Sequence, residues 1–292
     1  MKKILALALL FVWSNAAAAD VKLDPARIEA LTGLKGQLNE KENVFKVSYP
    51  REDIKAMVGG VRLTPPMGLT AWAAFTTAGD HAMVMGDIVM TEDQVNAVMS
   101  AALDNGLEVT ALHNHFLWDS PRVMFMHVGG MGDAEKLARG VGAVFAKLKE
   151  TSGAKGLASK ADIDPARTSL DPAKIEAVLG VKGELAKGVY KATIGLKTKM
   201  GEHEIGSAMG VNTWAAFAGS DDQAVVDGDF AMYETQLQAV LRALRHAGIS
   251  VVAIHSHMTM ESPRVMFLHY WGVGKTVELA AGLKAALDAQ GE

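Results

Sequence analysis

Behind Asp24-Pro25, apolar residues recur at helical spacing, at Ile28, Leu31 and Leu34. Asp24 as N-cap with Pro25 in the first helical position predicts a short helix that Gly33 and Gly36 can end. The period then falls from about four to two. Residues 44–49, 69–76 and 81–90 are apolar or alternating runs broken by polar and glycine-containing turns, and they predict three strands. Thr91 caps a helix with Asp93 and Gln94 in its first turn, an apolar face of Val95, Val98, Met99, Ala102 and Leu103, and a stop at Asn105-Gly106. Residues 107–115 and 121–128 predict the last two strands, and 134–149 an amphipathic closing helix. Strand runs of this kind beside amphipathic helices predict an α+β unit, a mostly antiparallel sheet with helices packed on one side.

The same unit is written twice. "LDPARIEALTGLKGQL" at 23–38 returns as "LDPAKIEAVLGVKGEL" at 170–185, "TAWAAF" at 70–75 as "NTWAAF" at 212–217, and "SPRVMFMH" at 120–127 as "SPRVMFLH" at 262–269. A repeat this long is a duplicated domain, unlike the shorter unit of a solenoid. The polar, aperiodic stretch 151–168 reads as a linker between copies at 20–150 and 169–292. The copies are expected to pack face to face about a pseudo-two-fold axis.

The first nineteen residues belong to neither copy. Lys2 and Lys3, an apolar run over 4–13 and Ala17-Ala18-Ala19 before Asp20 read as a cleaved signal peptide, 1–19. That makes a periplasmic or secreted protein the expectation. No other run approaches the roughly twenty apolar residues of a membrane helix, so stable membrane insertion is not expected. The 292 residues carry 29 Lys and Arg against 33 Asp and Glu, a formal charge of −4, with no basic stripe to neutralise phosphates, which sets nucleic acid aside. With no cysteine, thiolate ligands and disulfides are excluded.

Candidate chemistry lies just before each "SPRVMF". "HNHF" stands at 113–116 and "HSHM" at 255–258. Residues two apart on a strand share a face, so Leu107, Val109, Ala111, His113 and His115 are expected to line up, as are Ile249, Val251, Ala253, His255 and His257. Two imidazoles there can turn toward one ion. A third ligand is needed. His127 and His269 match between copies, but a simple hairpin around 116–120 places His127 opposite Val109, on the order of 10 Å from the pair. Asp87 and Asp229, each after Gly in an apolar run, are the other ligand or general-base candidates, and a turn beside Gly86 is an alternative explanation for them.

Glu92 and Glu234 read as charges favourable to a helix N-terminus. Arg122 and Arg264 can hold a carboxylate or phosphate, or pair with Asp119 and Glu261. Ser120 and Ser262 lack a nucleophile elbow and read as turn residues. Trp72, Trp214, Phe75 and Phe217 are expected in the core. The sixteen Met residues bring in copper, since thioethers suit Cu(I). Met83 and Met126 become Val225 and Leu268 in the second copy, however, which favours apolar packing.

"HNHF" with "SPRVMFMH", present twice beside Trp-Ala-Ala-Phe, resembles the LppY/LpqO family of exported bacterial proteins, a domain of unknown function. The resemblance implies export and a two-copy architecture, without an assigned activity. The chain departs from the lipoprotein members in having no Cys to acylate. The residues themselves favour an exported protein that binds a divalent transition metal such as zinc, or a small anionic ligand through it, in each copy. A metal-dependent hydrolase, with Asp87 or Asp229 as base and Arg122 or Arg264 holding an anionic substrate, is the alternative. A non-catalytic envelope protein without metal is the second.

Overall fold

The computed structural model describes residues 22–153 and 161–291. The expected signal peptide and part of the expected linker lie outside them. The first copy runs α1 (Pro25–Thr32), β1 (Gly36–Asn39), β2 (Val44–Pro50), β3 (Met57–Val58), β4 (Val61–Arg62), β5 (Thr70–Ala78), β6 (His81–Thr91), α2 (Val95–Asp104), β7 (Glu108–His113), β8 (Asp119–Ser120), β9 (Val123–Gly132) and α3 (Ala134–Glu150). The second runs α4 (Pro172–Leu179), β10 (Gly183–Ala186), β11 (Val189–Gly195), β12 (Thr198–Met200), β13 (His203–Ile205), β14 (Asn212–Gly219), β15 (Ala224–Tyr233), α5 (Leu237–His246), β16 (Ser250–His255), β17 (Glu261–Ser262), β18 (Val265–Gly274) and α6 (Thr276–Asp288).

The opening helices form as their caps dictate. Asp24 accepts from Arg27 N at 3.0 Å and Asp171 from Ala173 N at 3.0 Å, while Gly33 and Gly180 close the helices in the left-handed region. In front of α2, the Gln94 side chain reaches back to Thr91 N at 3.2 Å, so the expected cap works through a single 3-10 turn.

The copies join edge to edge rather than face to face. One twelve-stranded antiparallel sheet runs β1-β2-β5-β6-β9-β7-β16-β18-β15-β14-β11-β10, and the pair at its centre, with Leu112 opposite Ile254, comes from different copies. Two small sheets, β4-β3-β8 and β13-β12-β17, flank it. Each central strand carries a β-bulge, at Val109/Ala111 and at Val251/Ala253, which breaks the ladder. Side-chain amides from the opposite copy's helix satisfy the freed backbone groups. Asn96 accepts from Val251 N at 2.8 Å; its counterpart Gln238 accepts from Val109 N at 3.0 Å and donates to Val109 O at 2.9 Å. Arg245 Nε donates to Ser100 Oγ across the same seam at 3.2 Å.

The helices cover one face of the sheet. Leu137, Val141, Val144, Phe145 and Leu148 of α3 are buried with Phe75, Val84 and Ile88 of the strands, while the alternate positions of those strands, such as Trp72, Met83 and Asp87, stay partly open on the other face. Among the described residues no helix is long and apolar enough to cross a membrane.

Candidate metal centre

The bulges decide where the histidines point. Unbroken alternation would put Leu107, Val109 and His113 on one face. Instead the extra residue turns the strand over: Leu107, Val109 and Leu112 are buried under the helices, while Ala111 and His113 lie on the open face. In the second copy Ile249, Val251 and Ile254 are buried and His255 is on the open face. The expected common face is therefore corrected. The imidazoles are separated from the apolar run by the bulge that faces them outward.

Strand β7 stops at His113, and His115 lies past it in the loop. Its ring nevertheless folds back. His113 Nε2 and His115 Nε2 are 3.2 Å apart, and His255 Nε2 and His257 Nε2 are 3.1 Å apart. The second imidazole of each pair rests flat on a phenylalanine: His115 on Phe125 with ring centroids 3.4 Å apart, His257 on Phe267 at 3.5 Å. Both phenylalanines belong to the "SPRVMF" string, which explains why it accompanies each His-x-His. Sequence reasoning missed this platform, and only the repetition of Phe125 as Phe267 hinted at it.

Asp229 completes the second site. Its Oδ2 is 3.3 Å from His257 Nε2, and Asp229, His255 and His257 each offer a ligand atom within 4.8 Å of the others. The carboxylate is only 5% exposed, and its Oδ1 has no hydrogen-bond partner. Among the described residues Asp87 does not close with His113 and His115 to the same spacing, although its Oδ1 is likewise buried without a partner. Neither aspartate stands in a turn. Gly86 and Gly228 are in mid-strand, and a Cβ on Gly228 would fall 2.2 Å from the Tyr270 ring, so glycine there admits the tyrosine that packs behind Asp229.

Burial sets the electrostatics of the site. It holds the His113 imidazole below its ordinary range, helped by the neighbouring His127 and His115. It lowers His255 in the same way, with His269 adding to the effect. It raises the Asp229 carboxyl, against the pull of His269, His257 and His255. A His255 imidazole kept from protonation by burial, beside the buried Asp229 carboxyl, is a donor pair that gains from a cation.

His127 and His269 are closer to the pairs than a simple hairpin allows. Residues 114–122 are not a tight loop, since β8 pairs with β3, and the wide loop sets His113 opposite Phe125 and so Ala111 rather than Val109 opposite His127. The ring centroids of His113 and His127 are 5.1 Å apart, and those of His255 and His269 are 4.7 Å. Across the sheet Asp87 faces His127, and Asp229 faces His269 with Nδ1 4.0 Å from Oδ1.

Two other expectations change. Trp72 and Trp214 are not core residues; they sit half-buried on the open face, directly across from Asp87 and Asp229, with Lys46 Nζ and Lys191 Nζ over their rings at 4.1 and 4.2 Å. Phe75 and Phe217 are fully buried. Arg122 and Arg264 pair with Glu92 and Glu234, at 4.0 and 3.5 Å. Asp119 and Glu261 instead accept from the backbone N–H groups of Val123 and Val265. Arg122 lines a cleft with Arg51, Lys55 and Asp53 that contains none of the histidines.

A model of the family described as "Domain of Unknown Function (DUF1259)" matches residues 26–147 and again 173–289. No curated protein matches the chain. Among solved structures, the trimeric bacterial microcompartment shell protein PduB is similar at 11% identity over 87% of this chain and 89% of that one, with TM-score 0.20. The double ringed trimeric shell protein MSM0271 from the RMM microcompartment gives 12% over 74% and 84%, TM-score 0.20. EtuB from Clostridium kluyveri gives 12% over 89% and 90%, TM-score 0.23. These likenesses are too slight to place the chain among shell proteins.

Proposed function

We propose, from the premise that the chain belongs twice over to the Domain of Unknown Function (DUF1259) family, that it is an exported divalent-metal-binding protein whose tighter site is Asp229, His255 and His257. One observation carries the reading: a buried carboxylate with an unpartnered oxygen faces two imidazoles whose Nε2 atoms nearly touch. Tetrahedral zinc with bonds of about 2.0–2.1 Å sets its ligand atoms roughly 3.3 Å apart. The spacings of 3.1 Å between the imidazole nitrogens and 3.3 Å from His257 to Asp229 fit that shell. His269 stands beside it as a further ligand or as a partner that orients Asp229.

In the first copy His113 and His115, with Asp87 and His127 nearby, form the looser site. We take the copies as 20–150 and 169–292 joined by 151–168, the leader 1–19 as cleaved, and the likeness to the LppY/LpqO proteins as pointing to the cell envelope. Three protein ligands leave a fourth position for water or a small anionic ligand. Hydrolysis through a metal-bound water would need a base outside the ligand set, and Asp87 is the residue left for it; Arg122 and Arg264 are engaged elsewhere. Equilibrium dialysis against Zn(II) tests the binding reading. The wild type is expected to take up two equivalents, His255→Ala/His257→Ala to lose the tighter and His113→Ala/His115→Ala the weaker. Equal uptake by all three proteins would refute it.

A further inference from the structure

The first copy has a cleft at a place where the second carries a tryptophan. It has a volume of about 610 Å³ and is lined by Met83, Met85, Gly129 and Met131, with Glu108 and Thr110 at its rim and His127 at one end. The counterpart of Gly129 is Trp271, which is 42% exposed and stands opposite Asp227 in the second copy. The backbone does not require glycine at 129: a Cβ there would meet only Val84 O, at 3.6 Å. What the missing side chain leaves is room beside three thioethers.

Their arrangement follows from the register. Met83 lies directly opposite Met131, and Met85 lies opposite Gly129. Alternation puts Met83 and Met85 on one face of β6, about 6.7 Å apart along the strand, and directly opposed side chains start about 5 Å apart. Each thioether stands on three rotatable bonds, so the three sulfurs can close on one point above the sheet. Met85 and Met131 are each 62% exposed, whereas Met90, Met99 and Met126 are fully buried, so packing accounts for the latter and not for the former.

The second copy separates sulfur from mere apolarity. Met83 and Met131 correspond to Val225 and Val273, which face each other in the same register and keep that surface apolar with residues better suited to a strand. Met85 corresponds to Asp227. The property confined to the first copy is therefore a set of three soft donors around an open cleft. From this placement we propose that Met83, Met85 and Met131 form a site for a soft monovalent cation, Cu(I) or its analogue Ag(I), distinct from the histidine centres. Thioethers select such ions over zinc.

Anaerobic Cu(I) titration against a chromogenic chelator tests this in the full-length protein. The comparison is with Met83→Val/Met85→Val/Met131→Val, which carries valine at all three positions, two of them as in the second copy, and with His113→Ala/His115→Ala/His255→Ala/His257→Ala. The wild type and the histidine variant should each hold one Cu(I) with sulfur among its nearest neighbours by X-ray absorption. The methionine variant should lose it or bind it roughly tenfold or more weakly, while keeping its far-UV circular dichroism and Zn(II) uptake. Cu(I) bound equally by the methionine variant, or with no sulfur signal in the wild type, would overturn the proposal. Zn(II) uptake retained in full by the histidine variant would overturn only the histidine reading.

Discussion

Asp229 carries the sharpest energetic conflict on the open face: a carboxylate almost wholly removed from water, with one oxygen unpartnered. An unsatisfied buried polar atom costs on the order of 1–3 kcal/mol. Without metal, the folded protein holds the Asp229 proton more tightly than the unfolded chain does. Stability from this residue is therefore lost as pH rises through the range above its ordinary value. Asp229→Asn removes the ion and keeps the shape. It should stabilise the metal-free protein at neutral pH by about 1 kcal/mol, raising Tm by about 2–4 °C, and abolish tight Zn(II) uptake. A thermal melt with and without Zn(II) checks both. His113 and His255 work in the opposite sense. Their lowered values mean that the unfolded chain binds protons more readily, so the metal-free protein should lose stability as pH falls below the ordinary imidazole range, roughly 6.5. Added Zn(II) should shift that loss to lower pH, since protons and metal compete for the same nitrogens.

At the scale of elements, β7 and β16 divide what was legible from what was not. The repeated strings marked both strands and the histidines at their ends, because apolar alternation and duplication are written locally. The face was not legible. A single bulged residue reverses every later side chain, and nothing in "LEVTALH" or "ISVVAIH" announces it. His127 lies closer to His113 than a tight hairpin allows because the wide loop pairs His113 with Phe125, two residues on from Val123, and loop width is not written in the alternation. Hydrophobicity alone puts Trp72 in the core, whereas the sheet has an open face where a half-buried indole with a lysine over it is stable. The bulges themselves depend on the amides that fill them. Gln238→Ala, which removes two hydrogen bonds from Val109, should cost more than Asn96→Ala, which removes one from Val251, by about 1 kcal/mol in chemical denaturation. No measurable cost in either variant would mean that the bulges hold without these amides.

For the whole molecule, joining edge to edge decides how the two candidate centres sit relative to each other. With Leu112 opposite Ile254, His113 and His255 each lie one residue from the central pair and on the same open face, roughly 8 Å apart at Cα by strand spacing and rise. The remaining ligand candidates spread away from the centre, to β9 and β6 on one side and to β18 and β15 on the other. The two centres are thus neighbours on one continuous surface, not sites buried between facing domains. Duplication explains their likeness, and the later differences explain their division: the second copy closes its triad around a buried aspartate, and the first keeps an open cleft beside a looser set. Whether a metal sits at the second triad can be seen by anomalous diffraction at the zinc edge from a crystal soaked in Zn(II). A peak is expected within bonding distance of Asp229 Oδ2, His255 Nε2 and His257 Nε2. A zinc-soaked crystal with no peak there, the two imidazoles still bonded to each other, would contradict the metal-binding reading.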